Sequence, residues 1–466
     1  MSLFRTKNLD TMVAASRVPG GLKKVLGPMD LILMGIGAIV GTGIFVLTGT
    51  GAVTAGPALT LAFVIAAVAC GFAALCYAEF ASTVPVAGSI YTYSYATLGE
   101  IVAWMIGWDL LLEYGLATST VAVGWSGYFQ SLLKGFGMVL PEALRAAPGA
   151  VPGLTTYFNL PAFLIMMVLT FMLSLGVRES ARLNNIMVLI KTGVVLLFIV
   201  VGVNYVKPEN WQPFMPFGAG SVMSAAALVF FAFIGFDAVT SAAEEVKNPT
   251  KDLPIGIIGS LAICTVLYVA VAAIMTGIVP FMNFKGIDHP VSLALQYAGQ
   301  DWIAGLVDLA AILGMSTVIL VMAFGQTRIL YAMSRDGLLP KKLSEVHPKY
   351  GTPFFATWMV GIIFGLIAAV VPLGVLAELV NIGTLAAFSL VSLAVIILRK
   401  KRPDLHRAFR CPGVPVVPAL AILFCLALMS FLSLTTWIAF GIWLLIGLVV
   451  YFGYARSRSL LNGKQD

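Results

Sequence analysis

The chain has 466 residues, of which 60% are hydrophobic and only 11% charged, against about 45–50% and about 25% in a soluble domain. This composition excludes an ordinary soluble fold and marks a polytopic membrane protein. The net charge of +7 is not a nucleic-acid signal, because the basic residues sort by side of the membrane.

The first 28 residues are basic (Arg5, Lys7, Arg17, Lys23, Lys24). They lack the short apolar core and small-residue cleavage site of a signal peptide, so they are expected to remain as a cytoplasmic segment. Hydrophobic runs predict twelve spans near 29–48, 54–80, 100–130, 161–177, 184–205, 221–243, 254–279, 302–332, 353–371, 376–398, 415–433 and 435–455. If the N-terminus is inside, the predicted cytoplasmic segments hold 22 of the 28 Lys and Arg. The outer segments hold four, Lys134, Arg145, Lys207 and Lys285. The positive-inside rule therefore places both termini in the cytoplasm. The five cysteines (Cys70, Cys76, Cys264, Cys411, Cys425) form no CxxC pair, so neither a disulfide framework nor a zinc site is expected.

Adding 194 to the starts of spans one, four and five gives those of six, nine and ten to within about two residues; spans two and three fit less closely. Five is odd, so the second set runs opposite to the first, as inverted repeats do. The expected organisation is an N-terminal segment 1–28, a first five-helix repeat 29–205 and an outer linker 206–220. A second repeat 221–398, a basic loop 399–414, two added helices 415–455 and a tail 456–466 follow.

Span one contains Gly35-Ile-Gly-Ala-Ile-Val-Gly-Thr-Gly-Ile-Phe45, with four glycines in nine positions. Each weakens a helix by about 1 kcal/mol relative to alanine. Two readings stand. Gly37 and Gly41 form a GxxxG pair suited to close helix packing, or the helix breaks where it lines a polar site. The repeat offset carries Gly41 to Gly235, in Phe230-Phe-Ala-Phe-Ile-Gly-Phe-Asp237 of span six. If both spans unwind, the N–H groups of Thr42, Gly43 and Ile44 begin a new helix and suit a carboxylate. The carbonyls of Ile39, Phe231, Ala232 and Ile234 then suit an ammonium. A carboxylate and an ammonium a bond or two apart are the common part of an α-amino acid.

Charges at membrane depth cost at least about 2.5–3.5 kcal/mol and call for a reason. Lys191, in span five, either snorkels to the surface or is buried, and a buried lysine readily loses its proton. Asp237 follows the second break and suits either a helix cap or a buried charge. Glu113 and Asp109 share one face of span three. Tyr268 reads as a packed tyrosine, and Ser316 and Thr317 as residues bonding back to their own helix. Asp308 and Arg328 read as structural charges near span ends. Glu244-Glu-Val-Lys-Asn-Pro-Thr-Lys-Asp-Leu-Pro254 reads as a gate or a plain turn.

At these motifs, together with Gly325-Gln-Thr-Arg328 and Met333-Ser-Arg-Asp-Gly-Leu-Leu-Pro340, the chain resembles the amino acid–polyamine–organocation superfamily. Within it, the resemblance is to bacterial relatives of the cationic amino acid transporters. It implies an all-α membrane fold of about twelve helices, a LeuT-like five-plus-five inverted repeat with two added C-terminal helices. It implies substrate binding at Ile39, Thr42, Gly43, Ile44, Phe231, Ala232 and Ile234, with Phe231 as an aromatic gate. Lys191 matches the lysine that replaces sodium in proton-coupled members, with Glu113, Asp237 and Tyr268 as network partners. Met322, in span eight, is larger than an arginine-sized pocket would carry.

The expected function is inward transport of L-amino acids across the cell membrane by proton symport, with arginine and lysine among the candidate substrates. An exchanger on the same fold and a non-transporting sensor are the alternatives. Expected partners are the amino acid and the lipid bilayer, with no nucleic acid, no metal, and protons rather than a cofactor. An enzyme is not expected, since His289, His347 and His406 fall in loops on differing sides of the membrane without a nucleophile or metal motif.

Overall fold

Span one is two helices rather than one. In the computed structural model, which describes residues 5–6, 26–83, 90–176, 181–241, 246–405, 407 and 409–460, helix α1 (Pro28–Ile39) stops at Val40, whose backbone is extended. The chain resumes through a π-helical turn, Gly43–Leu47, into α2 (Thr48–Ala55). Proline at the first position and Asp30, which accepts the Gly27 N–H at 2.9 Å, start α1. Span two is α3 (Leu59–Thr83), and a short α4 (Ile90–Thr97) leads to span three, α5 (Glu100–Gly135). Spans four and five are α6 (Leu160–Ser174) and α7 (Ala181–Gly202).

Span six is interrupted like span one. Its first part, α8 (Gly218–Val229), tightens into a 3₁₀ turn over Phe230–Phe233, becomes extended at Ile234 and restarts as α9 (Ala238–Ser241). Span seven is α10 (Pro249–Ile278), and a short α11 (Pro290–Tyr297) precedes span eight, α12 (Asp301–Arg335). Spans nine to twelve are α13 (Phe354–Val370), α14 (Leu373–Lys401), α15 (Val416–Met429) and α16 (Leu434–Val450). The twelve spans predicted from hydropathy are thus all helical. Among the described residues the sole extended pairing is one bridge, Leu26 with Val246. Lys7, Arg17, Lys23, Lys24, Arg178, Glu244, Glu245, His406, Lys464 and the side chain of Arg182 lie outside the described residues.

The helices present apolar side chains outward. Leu189, Val200, Val266, Leu423, Leu445 and Val449 are all exposed, whereas the polar Thr118, Ser119, Thr120 and Ser126 of span three are buried. That distribution suits a hydrocarbon solvent. Small residues let the buried helices approach. A Cβ on Gly35 would lie 2.3 Å from Ser260 Oγ of span seven, and one on Gly115 2.1 Å from the Phe364 ring of span nine.

Two buried carboxylates tie helix ends together. Glu79, ending span two, takes Arg399 (2.6 Å) and Arg407 (3.3 Å) in ion pairs and accepts the Cys411 N–H at 2.8 Å. Glu100, at the start of span three, pairs with Arg5 at 3.2 Å. It also accepts hydroxyl hydrogen bonds from Tyr95 (2.9 Å), Tyr451 (2.9 Å) and Ser459 (2.5 Å).

Candidate functional site

The two interruptions meet. A Cβ on Gly43 would lie 2.2 Å from the α-carbon of Ala232 and 2.4 Å from its Cβ, so the resumed helix of span one abuts the unwound part of span six. Gly235 has φ of +119°, and a Cβ there would lie 2.9 Å from the Ala38 carbonyl. Both its conformation and its space require glycine. Of the two readings of the span-one glycines, the backbone opens at Val40–Thr42 as the second expects, and the close helix packing falls at Gly35, against span seven, rather than at the Gly37–Gly41 pair.

The Phe45 amide bonds back to the Gly41 carbonyl at 3.2 Å. The amides of Thr42, Gly43 and Ile44 stand ahead of it in the leading turn, where a helix has no acceptor of its own. The predicted carbonyls are partly engaged. Ile39 O accepts the Tyr268 hydroxyl at 2.8 Å and Phe231 O accepts the Ile234 N–H at 3.2 Å, which leaves each a second lone pair. Ile39, Thr42, Gly43, Ile44, Phe231, Ala232 and Ile234 are all buried.

Span eight forms the wall beside the first break. Thr42 Oγ1 approaches Met315 Sδ at 3.4 Å and a Cβ on Gly41 would meet Val318 at 3.4 Å. Met322 lies one turn beyond Val318, on the same face and buried. Ser316 and Thr317 bond back to the Ile312 and Gly314 carbonyls, both at 2.8 Å, and Ser316 also accepts the Trp125 N–H at 3.0 Å.

Lys191 does not snorkel. It is 1% exposed, its Nζ donates to the Gly37 carbonyl at 2.5 Å, and its stem fills the space left by Gly314, where a Cβ would lie 3.2 Å from Lys191 Cδ. Span five thus holds span one just before its break. Tyr268 is more than a packed tyrosine, because its ring sits 5.3 Å from Phe233 and 5.6 Å from Phe63 while its hydroxyl reaches Ile39. Glu113 is buried, with Oε2 lacking a hydrogen-bond partner, and Asp237 and Asp109 lie within electrostatic reach of it. Asp237 itself is half-buried, its carbonyl accepting the Thr240 amide and hydroxyl at 2.8 and 2.6 Å. Lys191 and Tyr268 therefore address the first break, while Glu113 and Asp237 group separately with Asp109.

Sequence reasoning missed two supports. Asn381 of span ten donates to the Ala227 and Leu228 carbonyls at 2.7 and 2.8 Å, occupying acceptors where span six leaves α-helical geometry. Tyr128 of span three donates to the Phe45 carbonyl at 2.5 Å. The available signal was a hydrogen-bonding side chain inside an apolar span.

These broken helices are found on a chain whose residues 26–454 match the family model described as amino acid permease. The chain belongs to the amino acid permease family. It is a transporter of the amino acid–polyamine–organocation superfamily, not an enzyme. It is 66% identical to the branched-chain amino acid permease BcaP of Bacillus subtilis, over 99% of both chains. It is 54% identical to the methylthioribose transporter of the same organism, again over 99% of both. It is 37% identical to the vacuolar cationic amino acid transporter 4 of Arabidopsis thaliana, over 86% of this chain and 68% of that protein.

The loop 286–290 plugs the gap between spans one and three. A Cβ on Gly127 of span three would lie 2.5 Å from Asp288 Cβ, and one on Gly49 of α2 2.9 Å from Pro290 Cβ, so the loop wedges between spans one and three. Burial pushes the Asp288 carboxyl up to about 6 and the His289 imidazole down to about 4, the latter helped by the charge of Lys134. Asp288 then favours the fold as a neutral acid. Its contribution is complete below the ordinary carboxylate value and is lost as pH rises through about 6. Asp288→Asn is expected to leave Tm unchanged near pH 4 and to raise it at pH 7.5. An equal shift at both pH values in a thermal-unfolding series would refute this.

Proposed function

We propose that the permease imports L-amino acids by proton symport, with branched apolar side chains preferred to cationic ones. The observation that carries this reading is the meeting of Gly43 with Ala232, which brings helix-start amides beside unwound carbonyls, the arrangement expected of a site on paired broken helices. The amides of Thr42, Gly43 and Ile44 take the carboxylate, and the carbonyls of Ile39, Phe231, Ala232 and Ile234 take the ammonium. Phe231 covers the substrate and Met322 limits the side-chain pocket. The apolar preference is supported by Met315, Val318 and Met322 on the facing wall and by the 66% identical relative, a branched-chain amino acid permease.

Protons are the coupling ion in this reading, and no cofactor takes part. Protonated Lys191 makes a charge-assisted hydrogen bond to Gly37 O, about twice as strong as a neutral one, so loss of its proton loosens span one. Tyr268 holds the same break beside Lys191, and Glu113 and Asp237 serve as a second, separate carboxylate group in proton coupling. The units 29–205 and 221–398 serve as the two inverted repeats, rocking in alternating access. The protein resides in the plasma membrane with both termini in the cytoplasm.

The test is uptake of labelled leucine and arginine into proteoliposomes, with and without an imposed inward proton gradient, with alanine and methylthioribose as competitors. Gradient-driven accumulation of leucine without internal substrate is expected. Uptake that ignores the gradient and requires internal amino acid would make the protein an exchanger, and binding with no flux would make it a sensor.

A further inference from the structure

A cavity of about 880 Å³ opens between the outer ends of spans three and eight, away from both helix breaks. Its wall carries three carboxylates, Asp288, Asp301 and Asp308, with Lys134 and apolar Leu306 and Trp302. Asp308 is the unusual member. It lies seven residues into span eight, about 10 Å below the helix start at 1.5 Å per residue, and is 2% exposed. The Ser131 hydroxyl donates to its Oδ2 at 2.8 Å, and the Ser292 side chain is a second hydroxyl within interaction reach of the carboxyl. Its Oδ1, which is buried, has no donor in hydrogen-bonding geometry. A carboxylate oxygen at membrane depth without a partner is costly, and Asp308 lines a cavity large enough to bring it one.

We propose that this cavity is a second binding site, in which the Asp308 carboxylate receives a primary ammonium. Lys134 stands one helical turn outward from Ser131 on span three, about 4.5 Å along the axis. An ammonium on Asp308 thus leaves an adjoining anionic group facing Lys134, and an apolar tail facing Leu306 and Trp302. That layout fits an α-amino acid zwitterion waiting outside the plug loop. The same ammonium chemistry occurs in phosphatidylethanolamine, and the experiment separates the two sources. Asp308 touches neither break, so the proposal goes beyond the transport reading while sharing its substrate class.

The full-length protein is placed in nanodiscs of phosphatidylglycerol, and tritiated leucine is counted per protein at saturation. Two leucines are expected in wild type and one in Asp308→Asn. Gly305→Trp supplies a second variant, because Gly305 lines the cavity and a Cβ there meets nothing within 4 Å. It fills the site without touching the carboxylate, and one leucine is expected. Gly43→Ala should remove the other leucine and spare this one, so failure of the transport reading and failure of this site are read separately. In the second arm phosphatidylethanolamine is added to the disc. Loss of the Asp308-dependent leucine, with a rise in Tm that Asp308→Asn and Gly305→Trp both abolish, identifies the lipid as the occupant of the same ammonium site. A single leucine in wild type, together with no lipid-dependent change in Tm, overturns the proposal and leaves Asp308 a packed acid only.

Discussion

Lys191→Met is expected to abolish proton-driven accumulation of substrate while leaving its equilibrium affinity within about tenfold of wild type. Methionine retains most of the stem volume that fills the space at Gly314, so the change removes the charge and the donor without opening a large cavity. What disappears is the hydrogen bond to Gly37 O, and a bond from a charged donor is worth about 1.5–3 kcal/mol. That is the size of effect needed to bias a helix pair between two arrangements. Lys191→Arg separates charge from proton release, since a guanidinium stays protonated. It should bind substrate and still fail to accumulate it. Accumulation ratios in proteoliposomes at external pH 5.5 and 7.5, set beside binding isotherms, check both variants. Unchanged accumulation in Lys191→Met would remove this residue from coupling.

Gly43→Ala should be strongly damaging for a single added methyl. The added carbon would sit 2.2 Å from a backbone atom, the α-carbon of Ala232, and backbone cannot swing aside as a long side chain does. Overpacking of this kind costs about 1–3 kcal/mol in stability. Here it also pushes apart the two surfaces proposed to hold the substrate, so affinity should fall by at least about a hundredfold, or about 2.7 kcal/mol. The double variant with Ala232→Gly removes the clash with the Ala232 methyl at 2.4 Å and keeps the clash with the backbone behind it, so rescue should be incomplete. Full recovery of binding in the double variant would show that only side-chain crowding matters.

Much of this architecture was legible in the chain itself. Spans are written as long apolar runs, and the breaks as glycines within them, because bilayer thickness and glycine's conformational freedom act locally along the sequence. An interruption near Gly235 to match the one near Gly41 could also be read, through the offset between the two sets of spans. The directions of buried side chains could not. Tyr268 read as an ordinary packed residue until its hydroxyl was found 2.8 Å from the Ile39 carbonyl, across 229 residues of sequence. Asn381 was overlooked for the same reason, its acceptors lying 153 and 154 residues away. Lys191 left two readings open, and only its burial decided between them.

The Glu100 cluster bears on how the chain is made. This carboxylate is fully buried in the finished protein, yet its Ser459 partner follows it by 359 residues and Tyr451 by 351. A ribosome feeding the membrane therefore delivers span three with a carboxylate whose full set of donors does not yet exist. Water at the membrane interface must solvate it until spans eleven and twelve have been inserted. The closing contacts of assembly thus settle a charge laid down near its beginning, so the two distant ends of the polypeptide mature as one unit.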